Sequence, residues 1–429
     1  MKVSVILPAG KKLFSMFNYG EFFEEKLNEL KQTGAYRNFV DVNKSAVHFP
    51  HFHYRDKNGI QRSAVNWCSN DYLCMSTHEE VIAKLSFTAH RSGTGSSGTR
   101  NISGTTNHHR ELEAEIAGWT GKQAALLFNG AYHANVTSLQ TIGRSIPDLV
   151  FISDEFNHAS LIEGMRSAGN KKFIFRHNDV RLLEEILKSL PIDQPKMLVV
   201  ESVYSISGNV APLKELLRLC KKYGALSYVD EVHAIGLYGK NGAGVLEQEN
   251  LSAEVDVING TLSKAIGVFG GFISGSAELV DFIRSFGSGF IFTTSLPPAV
   301  CSAALKSITL IQQHPEWREE FRENVKRLRT ALKQYGIKYA ENASHITKIP
   351  VKGAAHCREV AERLLEEQGV YMQPINYPTV PVGEECLRII VTSRHQPKHI
   401  QHLALSLKKV IYGKTQDHRA QFKTVAPAD

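Results

Sequence analysis

Three features of the sequence predict an α/β fold, with a large domain on a mostly parallel sheet flanked by helices and a smaller α+β C-terminal domain. Apolar runs of strand length alternate with helical patterns between about residues 124 and 260. Those runs are nearly continuous in apolar character, as strands covered on both faces are. A long amphipathic stretch, PEWREEFRENVKRLRTALKQYG (315–336), then opens a second region that ends near residue 412. The chain of 429 residues can hold both, and 42% hydrophobic with 22% charged residues is the balance of a globular enzyme.

The elements follow in order. FNYGEFFEEKLNELKQ has the spacing of an amphipathic helix, and an irregular segment rich in histidine and aromatics continues to about residue 65. VIAKLSFTAHR reads as helix and leads into SGTGSSGTRNISGTT (92–106), a stretch of glycines and hydroxyl side chains. Strands are predicted at AALLF (124–128), LVFIS (149–153), KFIF (172–175), MLVVES (197–202), ALSYVDE (225–231) and VDVING (255–260), separated by helical patterns such as LLEEILKSL and LKELLRLCKKYG. The terminal GKTQDHRAQFKTVAPAD is polar and expected to be disordered. Met16 stands directly before the first helix, so residues 1–15 are expected to be an upstream extension.

Composition excludes several classes. A net charge of +7, dispersed along the chain, suits an anionic small molecule better than a nucleic acid. No apolar run approaches the roughly 20 residues that span a bilayer. The six cysteines include no CxxC pair, which points to reduced thiols and a cytoplasmic location.

In a sheet of this kind ligands gather at the carboxyl ends of the strands. ALSYVDEVHAIG places Asp230 at such an end with His233 three residues on, and GTLSKAIG places Lys264 in apolar surroundings after a later strand. Taken alone, Asp230 reads as a strand-end acid that caps the next element, and an Asp–His pair is too small to make a metal site. Together with a lysine whose setting favours a depressed pKa, the acid suits pyridoxal phosphate: one group protonates the pyridine nitrogen and the other carries the aldehyde. FNGAYHAN offers a phosphate cradle through Gly130 and Ala131 at a helix start, Thr261 adds a hydroxyl, and His158 in SDEFNHAS can stack on a ring. Gly93, Gly95 and Gly98 satisfy GxGxxG but follow a helix instead of a strand, and no lysine completes a Walker loop. A solvated linker is the bland alternative for that stretch.

ESVYSISGNVAPL, VDEVHAIGLYG, NGTLSKAIG and SGFIFTTSLPP together resemble the α-oxoamine synthases, fold type I (aspartate aminotransferase-like) pyridoxal phosphate enzymes that join an amino acid to an acyl-CoA. AYRNF (35–39), WCSNDYL (67–73), GTRNISGT (98–105), NHASLIEGMR (157–166), FIFRHND (173–179) and QPINYPTVP (373–381) are similar to the branch that condenses glycine with succinyl-CoA. The resemblance covers roughly Tyr19 to Val410. It implies a homodimer with sites at the subunit interface, and a division into an N-terminal extension and arm (1–57), a large cofactor-binding domain (58–302), a small domain (303–412) and a tail (413–429).

It also implies roles. Lys264 would hold the cofactor and shuttle a proton, Asp230 would pair with the pyridinium, His233 would contact the ring oxygen, and His158 would stack on the ring. Ala131, Tyr132 and Thr261 would meet the phosphate, with Thr293 and Thr294 coming from the second subunit. Ser205 and Asn70 would orient substrate, and Arg388 would bind the glycine carboxylate. Arg37, Thr99, Asn101 and Thr379 would surround the succinyl carboxylate, Ser153 would contact substrate, and Lys172 would face the CoA phosphates. No metal is needed.

The sequence departs from the family pattern at Thr94 and Ser97 in the glycine loop, at Cys74 where glycine is usual, at Ser207 in place of an acid, at Val382 in place of arginine, and at Val391, Thr392 and Ser393. Ser97 is costly if that position needs a positive φ. Sibling enzymes using another acyl-CoA or amino acid, the same reaction serving a secondary metabolite, a nucleotide-binding dehydrogenase and a catalytically silent binding protein are the rival readings.

Overall fold

All six apolar runs form strands of one seven-stranded sheet. In the computed structural model, which describes residues 16–413, its order is Ala124–Phe128, Gly271–Gly275, Val257–Thr261, Leu226–Asp230, Lys196–Glu201, Val150–Asp154 and Lys172–Phe175. The last five are mutually parallel, and Gly271–Gly275 runs antiparallel to both of its neighbours. Residues 1–15, expected to be an upstream extension, and residues 414–429 of the expected tail at 413–429 lie outside the described residues.

The continuous apolar character of the strands follows from burial on both faces. Leu198, Val200 and Val229 pack with Leu183, Leu187, Leu216 and Leu217 of the Val180–Ser189 and Leu213–Tyr223 helices. Met197, Val199 and Tyr228 point the other way, into Leu139, Leu161 and Ile283 of the Ala131–Ser145, Ala159–Ala168 and Ala277–Phe286 helices. Alternate residues of each strand therefore serve opposite layers.

The second region carries its own antiparallel sheet, Thr347–Pro350, Cys386–Ile389 and Pro374–Ile375, accompanied by the helices Pro315–Gln334, Ala354–Gln368 and Pro397–Leu407. This is the predicted α+β character.

Two departures from the sequence reading matter for the site. The segment read as irregular up to residue 65 forms a sheet, in which Asn43–Lys44, His51–Arg55 and Gln61–Asn66 pair antiparallel and Val370–Tyr371 joins parallel to Gln61–Asn66. Its hairpin closes at Asp56–Gly59: the Asp56 carboxylate accepts from the Asn58 and Ile60 amides, and Gly59 takes φ 77°. Its strands are short and polar on one face, so periodicity did not mark them. The Gly271–Gly275 strand was also missed, because GGFISG reads as turn rather than strand. The first of these sheets brings the two regions together. Trp67 donates its amide to Tyr371 and accepts from that of Ile390, which lays WCSNDYL along the strand that bears Arg388.

Candidate active site

Asp230 closes the Leu226–Asp230 strand, and its carboxylate is held by three donors. Oδ1 accepts from the Val232 amide at 2.8 Å, and Oδ2 accepts from Asn135 at 2.8 Å and Asn259 at 3.1 Å. Asn135 also donates to Ser160 Oγ and accepts from the Tyr228 hydroxyl, and Ser160 Oγ lies 2.8 Å from His158 Nδ1. One buried amide thus ties the acid to the predicted stacking histidine. Asn135, Asn259 and Ser160 lie within FNGAYHAN, VDVING and NHASLIEGMR, and nothing in those motifs marks their roles, because the pairings cross between elements.

Lys264 lies just after the Val257–Thr261 strand, with Nζ 2.6 Å from His233 Nε2. His233 Nδ1 is 2.7 Å from the Tyr72 hydroxyl, which donates to Asn70 Oδ1 at 3.4 Å. Asn70 Oδ1 in turn accepts from Arg388 Nη2 at 2.6 Å. A consistent set of proton positions runs Lys264 to His233 to Tyr72 to Asn70. Burial, reinforced by the Arg388 charge, brings the Lys264 ammonium down to about 7. Burial, with Lys264 and Arg388 adding to it, holds the His233 imidazole well below its usual range, so it is neutral and can accept. Burial also lowers His158.

These residues fit pyridoxal phosphate. The Ala131–Ser145 helix begins after Gly130 with no side-chain cap, which leaves the first amides free for an anion. A Cβ on Gly271 would collide with the Ala131 backbone nitrogen, so the glycine strand is what lets that helix start lie against the sheet. Thr261 Oγ1 pairs with Ser263 Oγ at 2.8 Å. Tyr132 is exposed beside His158, their ring centroids 6.4 Å apart. Ser205 occupies the turn after the Lys196–Glu201 strand, whose Glu201 is in register with Asp230. Arg388 Nε is buried and has no partner, a donor left open next to Asn70.

The residues predicted to read the acyl substrate divide into two groups. Arg37 Nη2 donates to Thr379 Oγ1 at 3.2 Å, and both line a cavity of about 790 Å³ between the 34–41 segment and the Ala354–Gln368 helix. Thr99 donates to Asn101 at 2.6 Å and bridges Thr294, and the Thr294 carbonyl accepts from Asn129. Among the described residues no hydrogen bond joins the two groups within one chain. Ser153 is buried in its strand and its hydroxyl accepts from Asn157, while Lys172 opens the edge strand at the end opposite the carboxyl termini.

Arg100, between Thr99 and Asn101, is anchored. Its guanidinium forks onto Glu113 at 2.7 and 2.9 Å, Nε donates to Thr105 at 3.1 Å, and Glu113 also accepts from the Leu127 amide at 3.1 Å. The Gly/Ser stretch is therefore pinned to the Asn107–Thr120 helix and to the strand that feeds the phosphate cradle, which disposes of the linker reading. Ser97 and Cys74, both read as replacing glycine, take φ 62° and 60°.

Residues 62–407 match the family model for aminotransferase class I and II. A 5-aminolevulinate synthase of Rhizobium meliloti (strain 1021) is 45% identical over 390 residues, 91% of this chain and 96% of that protein. 5-Aminolevulinate synthase 1 of Cereibacter sphaeroides is 43% identical over 390 residues, with the same coverage. Among solved structures, the serine palmitoyltransferase of S. paucimobilis with bound PLP–myriocin superposes with a TM-score of 0.83 at 29% identity, covering 91% of this chain and 98% of that one. The chain belongs to the aminotransferase class I and II family and, within it, to the 5-aminolevulinate synthases.

Proposed function

We propose that the protein condenses glycine with succinyl-CoA to give 5-aminolevulinate, CoA and carbon dioxide, the entry step to tetrapyrroles such as haem, with pyridoxal phosphate held on Lys264. One observation carries the reading. The buried lysine is linked through His233, Tyr72 and Asn70 to Arg388, so the group that handles a proton and the group that holds a carboxylate share one hydrogen-bonded chain.

When bound, pyridoxal phosphate supplies a covalent attachment for the amino group of glycine and an electron sink for the bond broken at its α-carbon. Asp230 would pair with the pyridine nitrogen, His158 would stack on the ring, and His233 and Ser205 would contact its substituents. The free amides at Ala131 and Tyr132 and the Thr261 hydroxyl would hold the phosphate, together with Thr293 and Thr294 contributed by a second copy of the chain. Arg388 grips the glycine carboxylate with its open Nε and the Nη2 steadied by Asn70. Lys264, whose ammonium burial brings down to about 7, would take the Cα proton at Nζ, and His233 would accept a hydrogen bond from the resulting ammonium. Deprotonated there, the α-carbon would displace the CoA thiolate from the thioester carbonyl and lose the former glycine carboxylate as carbon dioxide, and Lys264 would be placed to return the proton to that carbon.

Arg37, Thr379, Thr99 and Asn101 would read the far carboxylate of the acyl group and Asn70 would support the substrate; the buried Ser153 and Lys172, at the start of its edge strand, keep their substrate and CoA roles only as the family resemblance implies them. A second copy of the chain completes the site. The exposed apolar side chains Ile102, Phe269 and Phe292, close in sequence to Asn101, Lys264 and Thr293, support a homodimer closing over it. The division at 58, 303 and 413 separates an arm, a cofactor-binding domain, a small domain and a tail. We place the reaction in the cytoplasm, in keeping with six free cysteines, and no helix among the described residues is long and apolar enough to cross a membrane.

The test is an acyl-CoA panel with glycine and the pyridoxal phosphate-loaded enzyme. Succinyl-CoA is expected to give the highest kcat/KM; clear preference for acetyl-CoA or a long-chain acyl-CoA overturns the assignment.

A further inference from the structure

The cavity that holds Arg37 and Thr379 contains a second guanidinium with no partner. Arg358 lies on the Ala354–Gln368 helix next to the buried Cys357, and its Nη2 is buried without a hydrogen-bond acceptor. Among the described residues it forms no hydrogen bond or ion pair, and Glu362, four residues on and lining the same cavity, does not reach it. Among the described residues Arg37 donates to a neutral threonine hydroxyl alone.

Both arginines flank one seam. A Cβ built on Gly34 would lie 3.2 Å from Arg358 Nη2, Asn376 donates to the carbonyls of Gly34 and Ala354, and the Arg37–Thr379 bond crosses the same seam three residues further along each strand of chain. Arg358 Nη2, buried against Gly34 without an acceptor, carries a cost that an anionic acceptor reaching this seam would recover. Arg37 is exposed, and among the described residues none of the acids lining the cavity, Asp41, Asp56, Glu362 and Glu366, hydrogen-bonds to either guanidinium. Arginine keeps its charge at any working pH and presents a fork suited to a carboxylate.

We propose that Arg358 is a second reader of the acyl carboxylate, acting with Arg37 to make the enzyme specific for a dicarboxylic acyl-CoA. The inference rests on the proposed function above and extends it to a residue that no motif marks. Arg358 contributes to the KM of the acyl substrate and to the choice between a terminal carboxylate and a terminal methyl group. It takes no part in proton transfer, which belongs to Lys264.

The experiment uses the loaded enzyme with glycine and either succinyl-CoA or butyryl-CoA, which has the same chain length and ends in methyl. Succinyl-CoA binding without glycine is also followed by calorimetry. Arg358→Gln is expected to raise the succinyl-CoA KM and weaken its binding about tenfold, the value of a charge-assisted hydrogen bond, with glycine and butyryl-CoA KM unchanged and Arg358→Lys restoring part of the loss. Arg37→Gln is run in parallel. If Arg37→Gln raises the succinyl-CoA KM and Arg358→Gln changes it less than twofold, the inference is wrong and the proposed function stands. If Arg358→Gln raises the KM of both acyl-CoAs alike, its role is structural and the inference is again overturned. If neither variant moves it, the acyl carboxylate lies elsewhere, and the assignment of this cavity falls with the inference.

Discussion

Removing Glu113 is expected to weaken both the fold and acyl recognition, and the geometry sets the size of the effect. Its carboxylate carries both arms of Arg100 and the Leu127 amide, with the two side chains only 15% and 9% exposed. Breaking one partner of a buried pair costs about 3–5 kcal/mol, and an unpaired buried amide about 1–3 kcal/mol. Residual exposure and relaxation reduce the sum, so Glu113→Ala should lose about 3 kcal/mol. Removing both charges in Arg100→Met/Glu113→Leu should cost less than the single change, because no charge is then left unpaired. Urea unfolding followed by tryptophan fluorescence compares the two midpoints. In both variants the succinyl-CoA KM should rise with the glycine KM steady, since Arg100 sits between Thr99 and Asn101. A double variant less stable than Glu113→Ala refutes the electrostatic account.

Three further outcomes are expected. Lys264 titrates near 7 in the folded protein without cofactor and near 10.5 unfolded, so the unfolded state holds more protons between those values and stability should climb with pH across that window; Lys264→Met should abolish this component in paired urea titrations. Ser97→Gly should raise stability by about 0.5–1 kcal/mol, the relief of left-handed strain less the greater freedom of glycine when unfolded, whereas Cys74→Gly should gain less because Cys74 is buried; the urea midpoints rank the two. Thr99→Ala or Asn101→Ala should raise the succinyl-CoA KM while the change in the cofactor's visible spectrum on adding glycine persists; loss of that spectral response would place these residues with glycine instead.

Much of the fold was legible because it depends on local pattern. Strands buried on both faces must be apolar throughout, and helices laid over them must repeat near 3.6 residues, so the core of the central sheet showed in AALLF, MLVVES and ALSYVDE. Lys264 and Asp230 stood out for the same reason: each is a charged residue at the edge of apolar sequence, where an unpaired charge is costly. The two positive-φ positions at Ser97 and Cys74 could be anticipated only because glycine was expected there.

The remaining features depend on residues distant in sequence. Nothing local to Asn135 says that it bridges Asp230 and Ser160, and nothing local to Tyr72 says that its hydroxyl meets His233, 161 positions away. The 43–66 sheet gains its fourth strand from residues 370–371, and that pairing sets Asn70 against Arg388. By itself the sequence determined the fold class, the lysine and the acid, because burial and backbone conformation leave a mark at each position. Tertiary structure decided which polar groups share a proton, which guanidinium is left without a partner, and how the acyl loop is anchored, because a hydrogen bond depends on a few ångströms of separation that only the packed chain sets.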